Sequence, residues 1–256
     1  MNREELLDRF DLTGRVAIVT GGSRGIGRAV AGGFAAMGAR VVIASRKADV
    51  CERAVSEITQ AGGTALSVPT HVGDLDALGH LVDAAVEAYG GVDIVVNNAA
   101  NALAQPVGQI TAEAWQKSFD ANARAGLFLV QAALPHLTAS DHAAVVNVVT
   151  VGVFTNGAAL ALYVAAKSAL LALTRTMAAE LARHQVRVNA LAPGVIDTDM
   201  YRSNSTEVQE YMMGGQAMRR VGRPDELVPA ALYLASDASS FMTGQCLVVD
   251  GGQTTH

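Results

Sequence analysis

Short apolar segments alternate with longer stretches of helical pattern along most of the chain, and this alternation constrains the fold more than any other feature. The apolar segments lie at residues 16–19, 40–44, 65–68, 92–96, 144–149 and 186–191, and helices are predicted at 28–37, 49–60, 75–89, 112–137 and 160–181. Short strands that are apolar throughout are typical of a parallel sheet with helices on both faces, and right-handed crossovers make such a sheet doubly wound. We therefore predict a doubly wound α/β fold.

A single domain over residues 1–256 is predicted because no linker, internal repeat or low-complexity segment divides the chain. Length alone would also permit two domains. Hydrophobic residues make up 50% of the chain and charged residues only 17%. This composition provides a large core and a further buried interface.

Charge and composition exclude several classes of partner. The net charge is −5 and no basic cluster occurs, which argues against nucleic acid. The apolar segments are too short to cross a membrane, and the polar N-terminus is unlike a signal peptide. Cys51 and Cys246 are far apart, which matches neither a metal site nor a disulfide framework. We expect a cytoplasmic protein that binds no metal, membrane or nucleic acid.

A glycine-rich loop with Gly21, Gly25 and Gly27 follows the first predicted strand. Glycines let a diphosphate approach the backbone closely, and the helix that follows directs its N-terminal amides at such an anion. The spacing Gly-x-x-x-Gly-x-Gly differs from the usual dinucleotide fingerprint. The alternative is a turn that merely joins strand to helix.

Tyr163 and Lys167 stand one turn apart on the same face of a long apolar helix. An adjacent ammonium lowers the pKa of a phenol, which would make Tyr163 a general acid or base. The alternative is ordinary packing with a lysine that reaches solvent.

These motifs, with Asn97-Asn98-Ala99 and Pro193-Gly194 in the same order, make the chain resemble the short-chain dehydrogenases/reductases, including the 3-oxoacyl reductases. The resemblance runs from about residue 12 to 252. It implies a Rossmann-type sheet of seven parallel strands, a nicotinamide cofactor, and hydride transfer between a carbonyl and an alcohol. Residues 246–252 resemble the last strand of the family and the turn that follows it.

The resemblance also assigns four catalytic residues. Tyr163 is the acid/base, Lys167 lowers its pKa and binds the nicotinamide ribose, and Asn122 holds a water of the proton relay. Thr150 stands where the family has a serine that orients the substrate. Threonine keeps the hydroxyl, but its β-methyl narrows the site. The alternative is an ordinary threonine at the end of a strand.

The cofactor residues implied by the resemblance follow several of the predicted strands, and two more lie on the helix of Tyr163. Thr198 is expected to contact the carboxamide and His71 the adenine, although His71 would equally suit a loop surface. Ala100 replaces a frequent glycine beneath the cofactor. The full set is Gly21, Ser23, Arg24, Gly25, Ile26, Gly27, Ser45, Arg46, His71, Val72, Asn98, Ala99, Tyr163, Lys167, Pro193, Gly194, Ile196 and Thr198.

NADP(H) is predicted over NAD. An NAD enzyme places a carboxylate after the second strand to bind the adenosine ribose, and here Ser45 takes that position. Arg46 and Arg24 are suited to grip a 2′-phosphate. The alternative is two solvated arginines.

The substrate is expected to be a neutral, rather apolar ketone or aldehyde. The Met-rich segment 199–218 is predicted to form a lid, in part as a helix at the sheet edge. A substrate bound to an acyl-carrier protein is disfavoured, because that carrier would need basic residues where this chain has Ser140-Asp141 and Ala178-Ala179. A 3-oxoacyl-CoA thioester stays open as a substrate. The candidate pocket residues are mostly apolar: Ala102, Leu103, Val151, Phe154, Leu160 and Tyr201.

A homotetramer is expected from the resemblance, with a dimer as the alternative. Three rival functions remain. One is a nucleotide-binding scaffold or redox sensor weakened by Thr150. Another is an epimerase or dehydratase, which usually has a longer C-terminal region. The third is oxidation of an alcohol by the same residues.

Overall fold

The computed structural model describes residues 1–155 and 158–254. All seven strands pair in parallel in one sheet of order β3-β2-β1-β4-β5-β6-β7. This confirms the predicted seven-stranded, doubly wound sheet. The strands are β1 Val16–Thr20, β2 Arg40–Ser45, β3 Thr64–Pro69, β4 Ile94–Asn97, β5 Ala144–Val148, β6 Arg187–Pro193 and β7 Cys246–Val249.

Helices connect the strands and cover both faces of the sheet. Single 3₁₀ turns at Val107–Gln109, Val151–Val153, Ala182–His184, Pro224–Leu227 and Asp237–Ser239 complete the connections. The α-helices are α1 Arg3–Asp8, α2 Gly25–Ala36, α3 Ala48–Gln60, α4 Leu75–Tyr89, α5 Ala112–Phe119, α6 Ala125–Leu137, α7 Ala161–Leu181, α8 Asp199–Arg202, α9 Thr206–Gly214 and α10 Val228–Ala235.

Alternate residues of each central strand serve the two halves of the core. In β1, Ala17 and Val19 belong to the half of the core that includes α2, α3 and α10, whereas Val16 and Ile18 belong to the half that includes α4 and α6. Successive side chains of a strand point to opposite faces, so a strand covered on both sides must be apolar throughout. Fully burying one side chain of this size contributes about 1.5–3 kcal/mol. This burial is why short apolar segments predict these strands well.

The winding of the sheet reverses at β1, which pairs with β2 on one side and β4 on the other. Loops at the carboxyl ends of β1 and β4 therefore leave the sheet in opposite directions and open a crevice between them. The predicted glycine loop and Asn98 lie on its two sides.

Two local predictions were incomplete, and a third, that the lid segment is partly helical, agrees with the structure. The helix predicted over 112–137 is interrupted by a π-helical segment, Asp120–Arg124, here called the π-segment. The N-terminal residues contain α1, begun by a capping box between Asn2 and Glu5. The proposed lid region includes α8 and α9, so much of it is helical. Among the described residues, no helix is both long and apolar enough to span a membrane.

Candidate active site

The glycine loop leads directly from β1 into α2. Gly21 and Gly25 adopt positive φ angles of 65° and 55°, which other residues rarely adopt. Helix α2 begins at Gly25, so its first backbone amides face the crevice at the end of β1. Ser23 in the loop is buried, and Ile26 packs against the core beneath it.

Hydrogen bonds tie the glycine loop to the loop after β4. The hydroxyl of Thr20 accepts from the backbone amides of Asn98, at 3.0 Å, and Ala99, at 3.1 Å. The side-chain amide of Asn98 donates to the carbonyls of Thr20, at 2.9 Å, and Gly21, at 3.3 Å. Both sides of the crevice are therefore held by one network.

Glycine is required at two points of this network by space as well as by conformation. A Cβ at Gly27 would collide with the side-chain nitrogen of Asn98 and the carbonyl of Gly21. A Cβ at Gly21 would lie 2.8 Å from the same nitrogen. The loop therefore presents bare backbone to the crevice, which is the surface that a diphosphate needs.

At the end of β2, Ser45 is partly buried and Arg46 is exposed, and neither carries a negative charge. Arg24 is also exposed, and its guanidinium pairs with the carboxylate of Asp199 at 3.2 Å. An exposed ion pair of this kind contributes less than about 1 kcal/mol, so Arg24 can exchange Asp199 for a phosphate. Both predicted cations lie on loops that follow strands at the carboxyl edge of the sheet.

The loop after β3 contains His71 and Val72. His71 is exposed, and its carbonyl accepts from the amide of Asp74 at 2.9 Å, which closes a tight turn. Val72 lines a small internal cavity together with Thr20, Ala99 and Asn122. The turn therefore reaches the other loops of the site through Val72.

Asn122 lies in the π-segment, where the amide of Ala125 donates to the carbonyl of Asp120, five residues back. Such single π-turns are frequent at functional sites. The side chain of Asn122 is 1% exposed. It accepts from the Asn101 amide at 3.1 Å and donates to the carbonyls of Asn101 and Ser118, both at 2.9 Å. Both amide hydrogens are thus engaged within the protein, so Asn122 can only accept a hydrogen bond from a relay water.

Thr150 and Tyr163 meet at the carboxyl end of β5. Thr150 lies two residues beyond β5, and its Oγ1 accepts from the Gly152 amide at 3.2 Å. This contact fixes the side chain at the start of a 3₁₀ turn. Its hydroxyl also lies near enough to the phenol of Tyr163, in the first turn of α7, to lower the pKa of that phenol. The two predicted hydroxyls are therefore neighbours at this edge of the sheet.

The predicted lowering of the Tyr163 pKa by Lys167 is wrong for this structure. Burial raises the pKa of Tyr163 to about 12, and the hydrogen bond from Thr150 offsets only part of that effect. Burial also lowers the pKa of Lys167 to about 7. The Lys167 ammonium donates to the Val148 carbonyl at 2.6 Å. Helical spacing predicted that the two groups influence each other, but burial, and not the charge of either group, sets the direction of both pKa shifts.

The loop after β6 closes the crevice beside the glycine loop. Pro193 ends β6, and a Cβ at Gly194 would lie 2.6 Å from Cα of Asp250. Ile196 is buried, and the hydroxyl of Thr198 caps α8 by accepting from the Tyr201 amide at 3.4 Å. The Thr198 methyl group would lie 3.2 Å from a Cβ at Gly25. The loops after β1 and β6 therefore pack together.

The predicted pocket residues are unevenly exposed. Val151 is buried, whereas Ala102, Leu103, Leu160 and Tyr201 are partly exposed. Phe154 is 36% exposed. These side chains come from the loops after β4, β5 and β6, the same edge of the sheet that carries Tyr163.

Sequence reasoning missed three residues that organise the site: Thr20, Asn101 and Arg124. Thr20 directly precedes the glycine loop, and a hydroxyl at the end of a buried strand is itself a signal. Asn101 donates from its side chain to the Lys117 carbonyl at 3.1 Å, besides its contacts with Asn122. Arg124 donates to the carbonyl of Gly73 at 2.8 Å. Local sequence carries no signal for the last two, because these partners lie in other segments of the chain.

Comparison with known proteins identifies the family. A family model described as enoyl-(acyl carrier protein) reductase matches residues 21–254. The human dehydrogenase/reductase SDR family member 4 is 36% identical over 247 residues, which cover 95% of this chain and 89% of the human protein. The chain belongs to the short-chain dehydrogenase/reductase family.

Two further members of the family agree with this assignment. The 7α-hydroxysteroid dehydrogenase of Escherichia coli strain K12 is 33% identical over 246 residues, or 96% of each protein. The crystal structure of a short-chain type dehydrogenase/reductase from Mycobacterium marinum matches with a TM-score of 0.92 and 34% identity. That match covers 98% of this chain and 100% of the other.

Membership of the short-chain dehydrogenases/reductases confirms the predicted resemblance and the Rossmann-type fold. The protein is an oxidoreductase that acts on alcohols or carbonyls with a nicotinamide nucleotide. The residues fit such a nucleotide, since the glycine loop brings the first backbone amides of α2 to the crevice, where they can bind a diphosphate. A 3-oxoacyl reductase subtype is not singled out by these relatives.

Proposed function

We propose that this protein uses NADP(H) to interconvert a neutral, rather apolar ketone or aldehyde, or a 3-oxoacyl thioester, with its alcohol. The placement of Thr150 and Tyr163 beside each other at the carboxyl end of β5, with Lys167 buried one turn further along α7, carries this proposal. Two hydroxyls that meet at the carboxyl edge of the sheet can bind one carbonyl oxygen together.

In the reducing direction, Tyr163 acts as the general acid. A bound reduced nicotinamide supplies the hydride. Thr150 donates a hydrogen bond to the carbonyl oxygen, and Tyr163 gives that oxygen its proton. A pKa of about 12 keeps the phenol protonated at neutral pH, which is the form that reduction needs. Lys167 and a water held by Asn122 return the proton to Tyr163, and Lys167 also binds the nicotinamide ribose.

The cofactor preference rests on charge at the adenosine end. Ser45 offers no carboxylate to repel a phosphate, while Arg46 and Arg24 are both exposed cations beside the glycine loop and β2. Arginine binds a phosphate with two parallel hydrogen bonds. We therefore propose NADP(H) over NAD, with the adenine beside His71 and Val72 and the carboxamide beside Ile196 and Thr198.

The substrate class follows from the mostly apolar side chains around Tyr163. Val151, Leu103 and Leu160 carry no charge that would hold a carboxylate. A hydroxysteroid, as named for the 7α-hydroxysteroid dehydrogenase of Escherichia coli, is one alcohol with an apolar ring system of this kind. The segment 199–218 would close over such a substrate as a lid. One domain, a homotetramer and a cytoplasmic location complete the proposal.

Replacing Tyr163 by phenylalanine tests this function. We expect Tyr163→Phe to lower turnover by about 10²–10⁴-fold, because the proton donor is lost. NADPH affinity should stay nearly unchanged, because the phenyl ring keeps its packing. The assay follows NADPH absorbance over a panel of neutral ketones and aldehydes, with NADH in parallel, and NADPH binding is measured by fluorescence titration.

Turnover of Tyr163→Phe at the wild-type rate would show that Tyr163 is not the general acid. Faster turnover with NADH than with NADPH would overturn the cofactor preference. If the wild type binds NADPH but reduces no member of the panel, and Thr150→Ser then restores reduction, a scaffold or sensor weakened by Thr150 becomes the better description.

A further inference from the structure

Arg124 connects the π-segment to the turn after β3. It is the last residue of the π-segment, two positions after Asn122. One terminal nitrogen of its guanidinium donates to the Gly73 carbonyl at 2.8 Å. Gly73 lies inside the turn that the His71 carbonyl and the Asp74 amide close. Arg124 therefore binds the backbone of that turn through its guanidinium.

The other terminal nitrogen of Arg124 is fixed by Asp120, one turn earlier, at 3.1 Å. The same carboxylate oxygen accepts from the side-chain amide of Gln116 at 2.6 Å. The planar guanidinium is thus held at both ends and has a defined direction. A lysine in its place has a single charged nitrogen and cannot serve the two partners with the same geometry.

The turn that Arg124 holds also carries Val72 into the centre of the site. Val72 lines one internal cavity with Thr20, Ala99 and Asn122. A displacement of Gly73 would therefore move its two neighbours in the turn, the exposed His71 and Val72, which lines the cavity together with Asn122. The contacts link two regions that lie far apart along the chain.

We infer that Arg124 is a positioning residue for the adenine end of the cofactor. It acts through the backbone of Gly73 on His71 and Val72. The inference rests on the proposed function, which places the adenine beside these two residues. It predicts that loss of Arg124 weakens binding of the adenine half of NADPH and spares the nicotinamide half.

The experiment measures dissociation constants of the full-length protein for three ligands: NADPH, adenosine 2′,5′-bisphosphate and reduced nicotinamide mononucleotide. We expect Arg124→Gln to weaken the first two by the same factor, about tenfold, which corresponds to one charge-assisted hydrogen bond. Binding of the mononucleotide should not change. Arg124→Lys keeps the charge but loses the paired geometry, and it should weaken the same two ligands.

Arg53→Gln is the matched control. Arg53 pairs with Asp49 one turn earlier at 3.1 Å, as Arg124 pairs with Asp120, but on the exposed surface of α3. The Arg53→Gln substitution removes one positive charge and should leave all three dissociation constants unchanged. Circular dichroism and the urea midpoint of each variant check that the fold is retained.

Three outcomes would overturn the inference. The first is that Arg124→Gln binds NADPH as the wild type does, and the second is that it binds all three ligands more weakly by the same factor. The third is that Arg124→Lys binds like the wild type, which would leave charge alone as the cause. A wild type that binds none of the three ligands would instead refute the proposed function.

Discussion

At the scale of single residues, Lys167 shows how burial sets chemistry. Its side chain is 1% exposed, and burial lowers its pKa from 10.5 to about 7. Between these two values the unfolded chain binds more protons than the folded chain, so this lysine makes stability rise with pH. The destabilisation is full below about pH 7 and absent above pH 10.5.

We therefore expect Lys167→Met to be more stable than the wild type at neutral pH, because the buried ammonium is gone. That advantage should shrink by about 1.4 kcal/mol per pH unit as the pH rises towards the ordinary lysine pKa. Urea unfolding of both proteins at several pH values between neutrality and that pKa measures it. Lys117→Met, at an exposed position of α5, is the control and should show no such slope. A difference for Lys167→Met that stays constant with pH would contradict the burial argument.

At the scale of elements, the π-segment sets the position of Asn122. It turns the side chain of Asn122 towards Asn101, in the loop after β4, and Ser118, in α5, which bind its amide. A regular helix over 112–137 would place this side chain differently, because each residue would advance by the ordinary turn. Through Asn122, the π-segment between α5 and α6 is therefore connected to Asn101, in the loop after β4.

Asn122→Ala should lower the free energy of unfolding by about 2 kcal/mol, because the Asn101 amide and the Ser118 carbonyl lose their partner in a buried setting. Urea denaturation checks this value. Gln116→Ala removes an exposed hydrogen bond to Asp120 in the same helix and should cost less than about 0.5 kcal/mol. Equal stability of Asn122→Ala and the wild type would show that the π-segment does not depend on this side chain.

At the scale of the whole molecule, Asp237 joins distant segments at the amino edge of the sheet. Arg15, just before β1, donates to its two oxygens at 2.7 and 3.2 Å. His142, before β5, contacts the same carboxylate at 3.1 Å. Arg187, which begins β6, donates to the neighbouring Ser239 at 2.6 Å. The edge opposite the active site is thus held by one ionic cluster.

Asp237→Asn should lower the free energy of unfolding by about 2 kcal/mol at neutral pH, since Arg15 is nearly buried and loses its anion. Burial acts to raise the pKa of Asp237, but hydrogen bonds from Arg15 and His142 outweigh it and the pKa is lowered. A lowered carboxyl pKa stabilises the fold above the unfolded value and loses that effect as the pH falls through the folded value. The difference between the two proteins should therefore shrink below about pH 4. Urea titrations across this range measure it, and a difference that grows on acidification would contradict the assignment.

The sequence by itself determined the sheet and much of the candidate site. Apolar strands, the glycine loop and the spacing of Tyr163 and Lys167 are local patterns, because burial on both faces, positive φ angles and helical periodicity each act within a few residues. The family motifs added the remaining site positions. Ser45 and Arg46, at the end of β2, were predictable in the same way.

Only the tertiary structure decided the π-segment, the direction of the Tyr163 pKa and the contacts of Asn101 and Arg124. The apolar periodicity of the sequence is nearly the same before and after Asp120–Arg124, so the one extra residue in the π-helical turn does not show in that periodicity. The pKa of Tyr163 depends on how much chain surrounds the phenol, and the partner of Arg124 lies 51 residues away. Desolvation and hydrogen bonds between loops arise from packing of distant segments, which no local pattern records.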